Sequence, residues 1–251
     1  MDVVTRLRAA GCVFAEDEAR LLTEAAGSPV ELDELVAARV AGEPLEHLLG
    51  WAEFAGLRIA VTSGVFVPRR RTEFLAEAAA GLCGPGSVVV DLCCGCGAIG
   101  AAVAAAVPGV VLHAADVDPA AVACARRNLP TAEVHLGDLF TPLPRALRGH
   151  VDVVVANVPY VPTAEIDWMP VEARLHEPLS ALDGGADGLG FQRAVADGAL
   201  DWLRPGGHLL VETSERQSPV SLEVFAGAGF TAEVRTCDER DSTIVVGTRP
   251  R

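Results

Sequence analysis

Residues 88–105 read VVVDLCCGCGAIGAAVAA: a β-branched apolar run, an acid, a turn of cysteines and glycines, then an alanine-rich segment. A short unbroken run of Val and Leu predicts a strand buried on both faces, and the alanine-rich segment predicts a helix. Asp91 marks the end of the strand, and the turn holds Cys93, Cys94, Gly95, Cys96 and Gly97. In open parallel sheets, ligands bind outside the carboxyl ends of the strands, near the point where strand order reverses. Glycine lets a backbone approach a ligand closely, and cysteine is small enough to line such a turn. A zinc site asks for separated ligand pairs. Here the cysteines are crowded together, and Cys83 and Cys124 supply no second pair. The reading is a cofactor loop without a metal, and by itself such a loop fits NAD, FAD or S-adenosylmethionine.

The same alternation continues along the chain. Strands are predicted in "SVVVDL", "VVLHAAD", "AEVHLGD", "VDVVVAN", "GGHLLVET", "FTAEVRT" and "STIVVGT". Between them lie helical patterns: "AIGAAVAAAV" stopped by Pro108-Gly109, "DPAAVACARRNL", a helix over residues 190–203, and "SPVSLEVFAGAG". Asp118 is placed to cap the second of these helices, with Pro119 at its first position. Strand alternating with helix is the pattern of a doubly wound, mostly parallel α/β sheet. The last two strands are close in sequence, so one is expected to run antiparallel at the sheet edge. Before residue 53 the pattern is helical throughout, in "AEDEARLLTEAA" and "ELDELVAARVAG". "FAGLRIAVTSGVFVP" then alternates around Ser63-Gly64 and predicts a β-hairpin. The division expected is a helical part over residues 1–52, a hairpin linker over 53–72 and an α/β domain over 73–251.

Composition narrows the function classes. Half of the 251 residues are hydrophobic and 22% are charged, which supports a packed core and argues against global disorder. Thirty-four acids against 20 Lys and Arg give a formal charge of −14, unsuited to a general electrostatic grip on phosphates. The run Arg69-Arg70-Arg71 is a local exception. No apolar stretch reaches the roughly 18 residues of a membrane span, and no signal peptide is visible. With seven cysteines, these features place the chain in a reducing cytoplasm.

Two further acids end strands. Asp116 is positioned to hold ribose hydroxyls, although a turn or capping acid reads the same way from its position. Asp138 is placed where an adenine amino group would be recognised, or where a turn needs an acid. "VVVANVPYVP", residues 153–162, is more specific. An Asn at a strand end followed by Pro and Tyr suits transfer to a planar amide or exocyclic amine. The nitrogen lone pair of such a group is delocalised, so a site must accept both N–H bonds and aim the lone pair at the electrophile. Asn157 can accept one bond and the Val158 carbonyl the other, while Pro159 stiffens the turn and Tyr160 offers a flat face. His113, His135 and His176 read as scattered, the first two within strands, and nothing suggests hydride chemistry.

Taken together, "RVAGEPLEHLLGWAEFAGLRIAV", "VFVPRRRTEFL", "DLCCGCGAIG", "ADVDPAAVACARRN", "NVPYVP", "HEPLSALDGGADGL" and "LRPGGHLLVE" carry a resemblance over about residues 32–246. The chain resembles the protein-(glutamine-N5) methyltransferases that modify the Gly-Gly-Gln loop of peptide-chain release factors. The resemblance implies a seven-stranded class I methyltransferase sheet, with S-adenosyl-L-methionine as cofactor and S-adenosyl-L-homocysteine as product. It implies cofactor binding by Asp91, the loop Cys93–Gly97, Asp116, Asp138, Leu139 and Asn157. It further implies glutamine binding by Asn157, Val158, Pro159 and Tyr160, in a pocket shaped by Glu177 and Pro178. The partner implied is a release factor, docked in part by the helical N-terminal domain.

Three departures stand out. Val158 replaces the family's first Pro, PRRRTE stands for a PRPETE-like stretch, and the N-terminal helical part is shorter than usual by some tens of residues. A nucleic-acid amine methyltransferase, of the adenine-N6 kind, is the alternative; the net charge opposes it and only the triple arginine favours it. A non-catalytic binding module would be expected to have lost Asn157 or Tyr160, and both are present.

Overall fold

The computed structural model describes residues 2–169 and 171–251. Four helices come first: α1 (Val3–Ala9), α2 (Ala15–Ala25), α3 (Pro29–Val40) and α4 (Leu45–Leu49). Asp2 caps α1 through the Thr5 amide, and Ser28 caps α3 ahead of Pro29 at its first turn. Their apolar stripes meet in a small core of their own, made by Leu7, Ala15, Ala19, Leu22 and Val36.

A hairpin follows, but one turn earlier than the sequence suggests. Strands β1 (Trp51–Phe54) and β2 (Leu57–Ala60) pair antiparallel across Ala55-Gly56, not across Ser63-Gly64. Both turn residues have positive φ, 51° and 73°, the conformation whose twist suits a two-residue hairpin loop. Ser63-Gly64 makes only a local turn, closed by the Val65 amide on the Thr62 carbonyl.

The α/β domain comprises α5 (Glu73–Ala80), β3 (Val88–Leu92), α6 (Ala98–Ala106), β4 (Val111–Asp116), α7 (Pro119–Asn128), β5 (Glu133–Leu136), β6 (Val151–Ala156), α8 (Val171–His176), α9 (Gly190–Trp202), β7 (Leu203–Thr213), α10 (Ser218–Gly227), β8 (Thr231–Cys237) and β9 (Ser242–Thr248). The seven strands lie in the order β5-β4-β3-β6-β7-β9-β8. All pairings from β5 to β7 are parallel. Strand β7 begins three residues before the predicted GGHLLVET, and a register shift against β6 accommodates its start.

The antiparallel strand is β9, and it lies inside the sheet rather than at the edge: it pairs with both β7 and β8. Burial explains the order. STIVVGT is buried along nearly its whole length, whereas TAEVRTC alternates and carries the paired Glu233 and Arg235. A charged, alternating strand is the one suited to an exposed edge. Helices cover both faces of the sheet. One core joins Val89, Val153 and Val155 to α5, α6, α7 and the hairpin; the other joins Val90, Val154 and Val211 to α9 and α10. Strand order reverses between β3 and β6, so their carboxyl ends diverge into a crevice, the place where such sheets take ligands.

Candidate active site

The crevice is a cavity whose floor is the turn after β3. Cys93 and Gly95 have positive φ (53° and 55°), and Gly97, at 79°, opens α6. The positive φ favours glycine at 97, where a Cβ would also stand 2.9 Å from Leu129 Cδ1. The Cys94 amide donates to the Ala115 carbonyl (3.1 Å) and the Gly97 amide to the Cys94 carbonyl (2.7 Å). Asn128, at the end of α7, ties this turn to the hairpin: its Nδ2 donates to the carbonyls of Cys96 (2.8 Å) and Ala60 (2.9 Å), and its Oδ1 accepts the Ala60 amide (2.9 Å).

Burial pushes the thiols of Cys93, Cys94 and Cys96 upward, that of Cys96 to about 12. They stay protonated at neutral pH and act as small lining groups. Cys93, Cys94, Gly95 and Cys96 line the cavity, while buried Gly97 does not. Asp91 does not line it. Its carboxyl group is fully buried, accepts the Gly100 amide at 2.9 Å, and is pushed up to about 7 by burial, with nearby Asp116 adding to the rise.

Asp116 ends β4 at the cavity wall. Its Oδ2 accepts the Gly95 amide (2.8 Å) and its Oδ1 the Asp118 amide (2.9 Å). Each oxygen retains a second lone pair, so the carboxylate can still accept a pair of neighbouring hydroxyls. Asp118 caps α7 through the Ala120 amide at 2.8 Å. Asp138 and Leu139 continue the wall past β5, and Leu139 is held at a φ of 44°.

Opposite stands the turn after β6. Asn157, Val158, Pro159 and Tyr160 all line the cavity. The Asn157 amide nitrogen donates to Thr72 Oγ1 at 3.4 Å, which leaves its oxygen as an acceptor. Val158 is buried and packs with the core around Leu92 and Ala156. The Tyr160 hydroxyl donates to Glu212 Oε1 (3.1 Å) and accepts from Arg71 Nη2 (2.6 Å), while Arg71 Nε reaches the same carboxylate oxygen at 3.3 Å. Burial, reinforced by Glu212 and opposed by Arg71, raises the Tyr160 pKa, so it remains a phenol.

The turn is braced from behind. Gln217 Nε2 donates to the Tyr160 carbonyl at 3.0 Å, and Val161 bridges Asp183. Close approach forces glycine at 188, where a Cβ would fall 2.2 Å from the Tyr160 oxygen. Pro178 reaches the cavity and Glu177 does not: Glu177 is buried at the rim against Arg69. Burial raises its pKa and Arg69 opposes the rise.

Met169, and Phe191 at the start of α9, line the cavity outside every motif, while Phe54, Val65 and Phe66 lie within motif segments that give no sign of their place in the wall. Glu212 lies within LRPGGHLLVE, but only the fold shows that it holds Tyr160. The cavity therefore joins the Asp116 carboxylate, a floor of small residues and the Asn157–Tyr160 turn around one space.

The chain is similar in sequence and in fold to known proteins. The family model described as Methyltransferase small domain matches residues 57–187. The chain is 38% identical over 219 residues to the release factor glutamine methyltransferase of Geobacter sulfurreducens, covering 86% of this chain and 76% of that one. It is 42% identical over 201 residues to the enzyme of the same name from Gloeobacter violaceus, covering 77% and 69%. Among solved structures, a methyltransferase from Pyrococcus furiosus shares the fold with a TM-score of 0.60 at 18% identity, over 78% of this chain and 90% of that one.

Proposed function

We infer, for a chain that belongs to the release factor glutamine methyltransferase family, that its cavity transfers a methyl group to the side-chain amide nitrogen of a glutamine in a release factor. The observation that carries this reading is the shared cavity: Asn157–Tyr160 face the Cys93–Cys96 floor and Asp116 across one crevice. When bound, S-adenosylmethionine supplies an electrophilic methyl group on a sulfonium centre. The residues present fit it. Asp116 offers acceptors for ribose hydroxyls, Asp138 and Leu139 flank an adenine, and the cysteine–glycine turn leaves room for the amino-acid portion. Asp91 supports that turn from below through Gly100.

The remaining task is to orient a poor nucleophile. Asn157 Oδ1 and the Val158 carbonyl accept the two amide N–H bonds, which fixes the plane of the amide and turns the nitrogen lone pair toward the methyl group. Replacing the family's Pro by Val158 retains that carbonyl. Tyr160, clamped by Arg71 and Glu212, sets a flat wall beside the amide plane. No base is needed before transfer, because methylation makes the nitrogen acidic and its proton then leaves to water. Tyr160 stays protonated throughout.

The protein substrate meets the cavity on the rim carrying exposed Trp168, Leu175 and Leu179, in the segment that also supplies Met169 and Pro178 to the wall. The N-terminal helices assist that docking. Nucleic acid fits less well. Of the three arginines, Arg69 and Arg71 are engaged by Glu177 and Glu212, so the run is not an open phosphate-binding patch. No described helix is long and apolar enough to cross a membrane.

Asn157→Ala tests the amide grip. Its kcat is expected to fall about 10²-fold or more, as when one preorganised hydrogen-bonding group is removed, with the cofactor Kd little changed. Unchanged kcat would reject the grip.

A further inference from the structure

Among the described residues, one group of side chains could ligate a metal, and it lies outside the cavity: His113 on β4 with Glu133 and His135 on β5. The register puts them together. His113 is opposite Glu133, and His135 follows two residues later on the same face of β5. His113 Nδ1 lies 3.3 Å from His135 Nε2, and Glu133 Oε2 lies 3.7 Å and 3.9 Å from these nitrogens. Tetrahedral zinc with bonds of about 2.0–2.2 Å spaces its ligand atoms about 3.3–3.6 Å apart. The observed triangle needs only a small swing of the Glu133 carboxylate, which is free to make it because its side chain is 66% exposed.

Two imidazole nitrogens facing each other at 3.3 Å need something between them, since two lone pairs repel. In the metal-free chain this is one N–H hydrogen. A neutral imidazole keeps a lone pair on one ring nitrogen, so each ring has a donor to give. The opposing feature is Arg126, whose guanidinium donates to the Val134 carbonyl nearby, and the Glu133 carboxylate counters its charge.

We propose that His113 Nδ1, His135 Nε2 and the Glu133 carboxylate bind a divalent transition-metal ion of the zinc class, with water completing the shell. Two imidazoles and a carboxylate are a donor set suited to zinc. The ion takes the place of the shared hydrogen. Whichever ring carries that hydrogen shifts it to its other nitrogen, so no proton is released. The site is separate from methyl transfer and has a structural consequence. β5 is an edge strand held by a four-residue pairing to β4, and it runs through Gly137 into Asp138 and Leu139 at the cavity wall. A bound ion staples that edge and steadies the wall beside Leu139.

The test is a Co(II) titration of the full chain after chelator treatment, read by visible absorption and repeated with Zn(II) as competitor. One Co(II) per chain, with d–d bands and without a thiolate charge-transfer band, is expected, and Zn(II) should displace it. Glu133→Gln, at the exposed edge, and His135→Gln should each weaken binding by at least about tenfold, with circular dichroism confirming folding. Zn(II) should raise the Tm of the parent and not that of His135→Gln. A thiolate band would place the ion on cysteines and overturn the proposal. So would equal affinity in parent and variants, or no uptake at a several-fold excess of ion.

Discussion

Replacing Asp91 by Asn should change how stability depends on pH, and by a calculable amount. Asp91 sits fully buried beneath the cofactor turn, with Oδ2 taking the Gly100 amide and Oδ1 without a partner. Burial lifts its pKa from 3.8 to about 7. The folded chain therefore keeps a proton that the unfolded chain has released, and stability falls as pH rises from about 4 to about 7. Holding that proton costs about 1.4 kcal/mol for every pH unit through which the medium rises above the unfolded value, so the loss across the window is about 4 kcal/mol. Asn preserves the acceptor for Gly100 and removes the titration. Buried His113 and half-buried His135 and His208 work in the opposite sense: desolvation lowers their pKa values, so they contribute stability that is lost as pH falls through the unfolded histidine value. They are common to both proteins and cancel in the difference. Urea unfolding of parent and variant from about pH 4.5 to about pH 7.5 measures it. The variant should gain on the parent by about 1.4 kcal/mol per pH unit across most of that range. Parallel pH profiles would refute a protonated Asp91.

Three substitutions probe the cavity itself. Asp116→Ala removes a charged acceptor and leaves the Gly95 and Asp118 amides unmatched; cofactor Kd should rise about 10–100-fold by calorimetry, and an unchanged Kd would deny the ribose role. Glu212→Gln weakens the hold on Tyr160 and strips Arg71 of its counterion, so kcat should fall about tenfold with the cofactor Kd retained; equal losses in both would point to general collapse of the site. Gly188→Ala drives a Cβ into the Tyr160 carbonyl at a φ of 76°, and should cost at least about 1–3 kcal/mol in urea unfolding. Parent-like stability of that variant would show that the backing of the turn is looser than its geometry implies.

How far these features could be read beforehand depended on whether their causes were local. The turn after β3 was legible because strand, small residues and helix follow one another without interruption, and Asp118 announced its helix by capping chemistry with Pro119 behind it. Asn157 and Tyr160 were legible as cavity neighbours because they stand close together in one turn at a strand end. The hairpin was misplaced because Ser63-Gly64 has the composition of a turn, while the observed turn asks Ala55 to adopt a positive φ that alanine does not advertise. Closeness of the last two strands suggests that one runs antiparallel but not which is the edge; the burial of STIVVGT against the charged alternation of TAEVRTC puts the antiparallel strand inside. Glu212 and Arg71 are separated by more than half the chain and meet only through the fold. His113 and His135 looked scattered for the same reason, until the parallel register of β4 and β5 set them side by side.

The central claim is amide methylation of a release factor, and one measurement tests it most directly. The purified chain is incubated with S-adenosylmethionine and release factor, in parallel with a release factor whose Gly-Gly-Gln glutamine is changed to alanine, and both products are weighed by mass spectrometry. A gain of one methyl group on the parent factor alone, located to that glutamine, is the predicted result. Equal methylation of the altered factor, or none on either while the cofactor binds normally, would contradict the account.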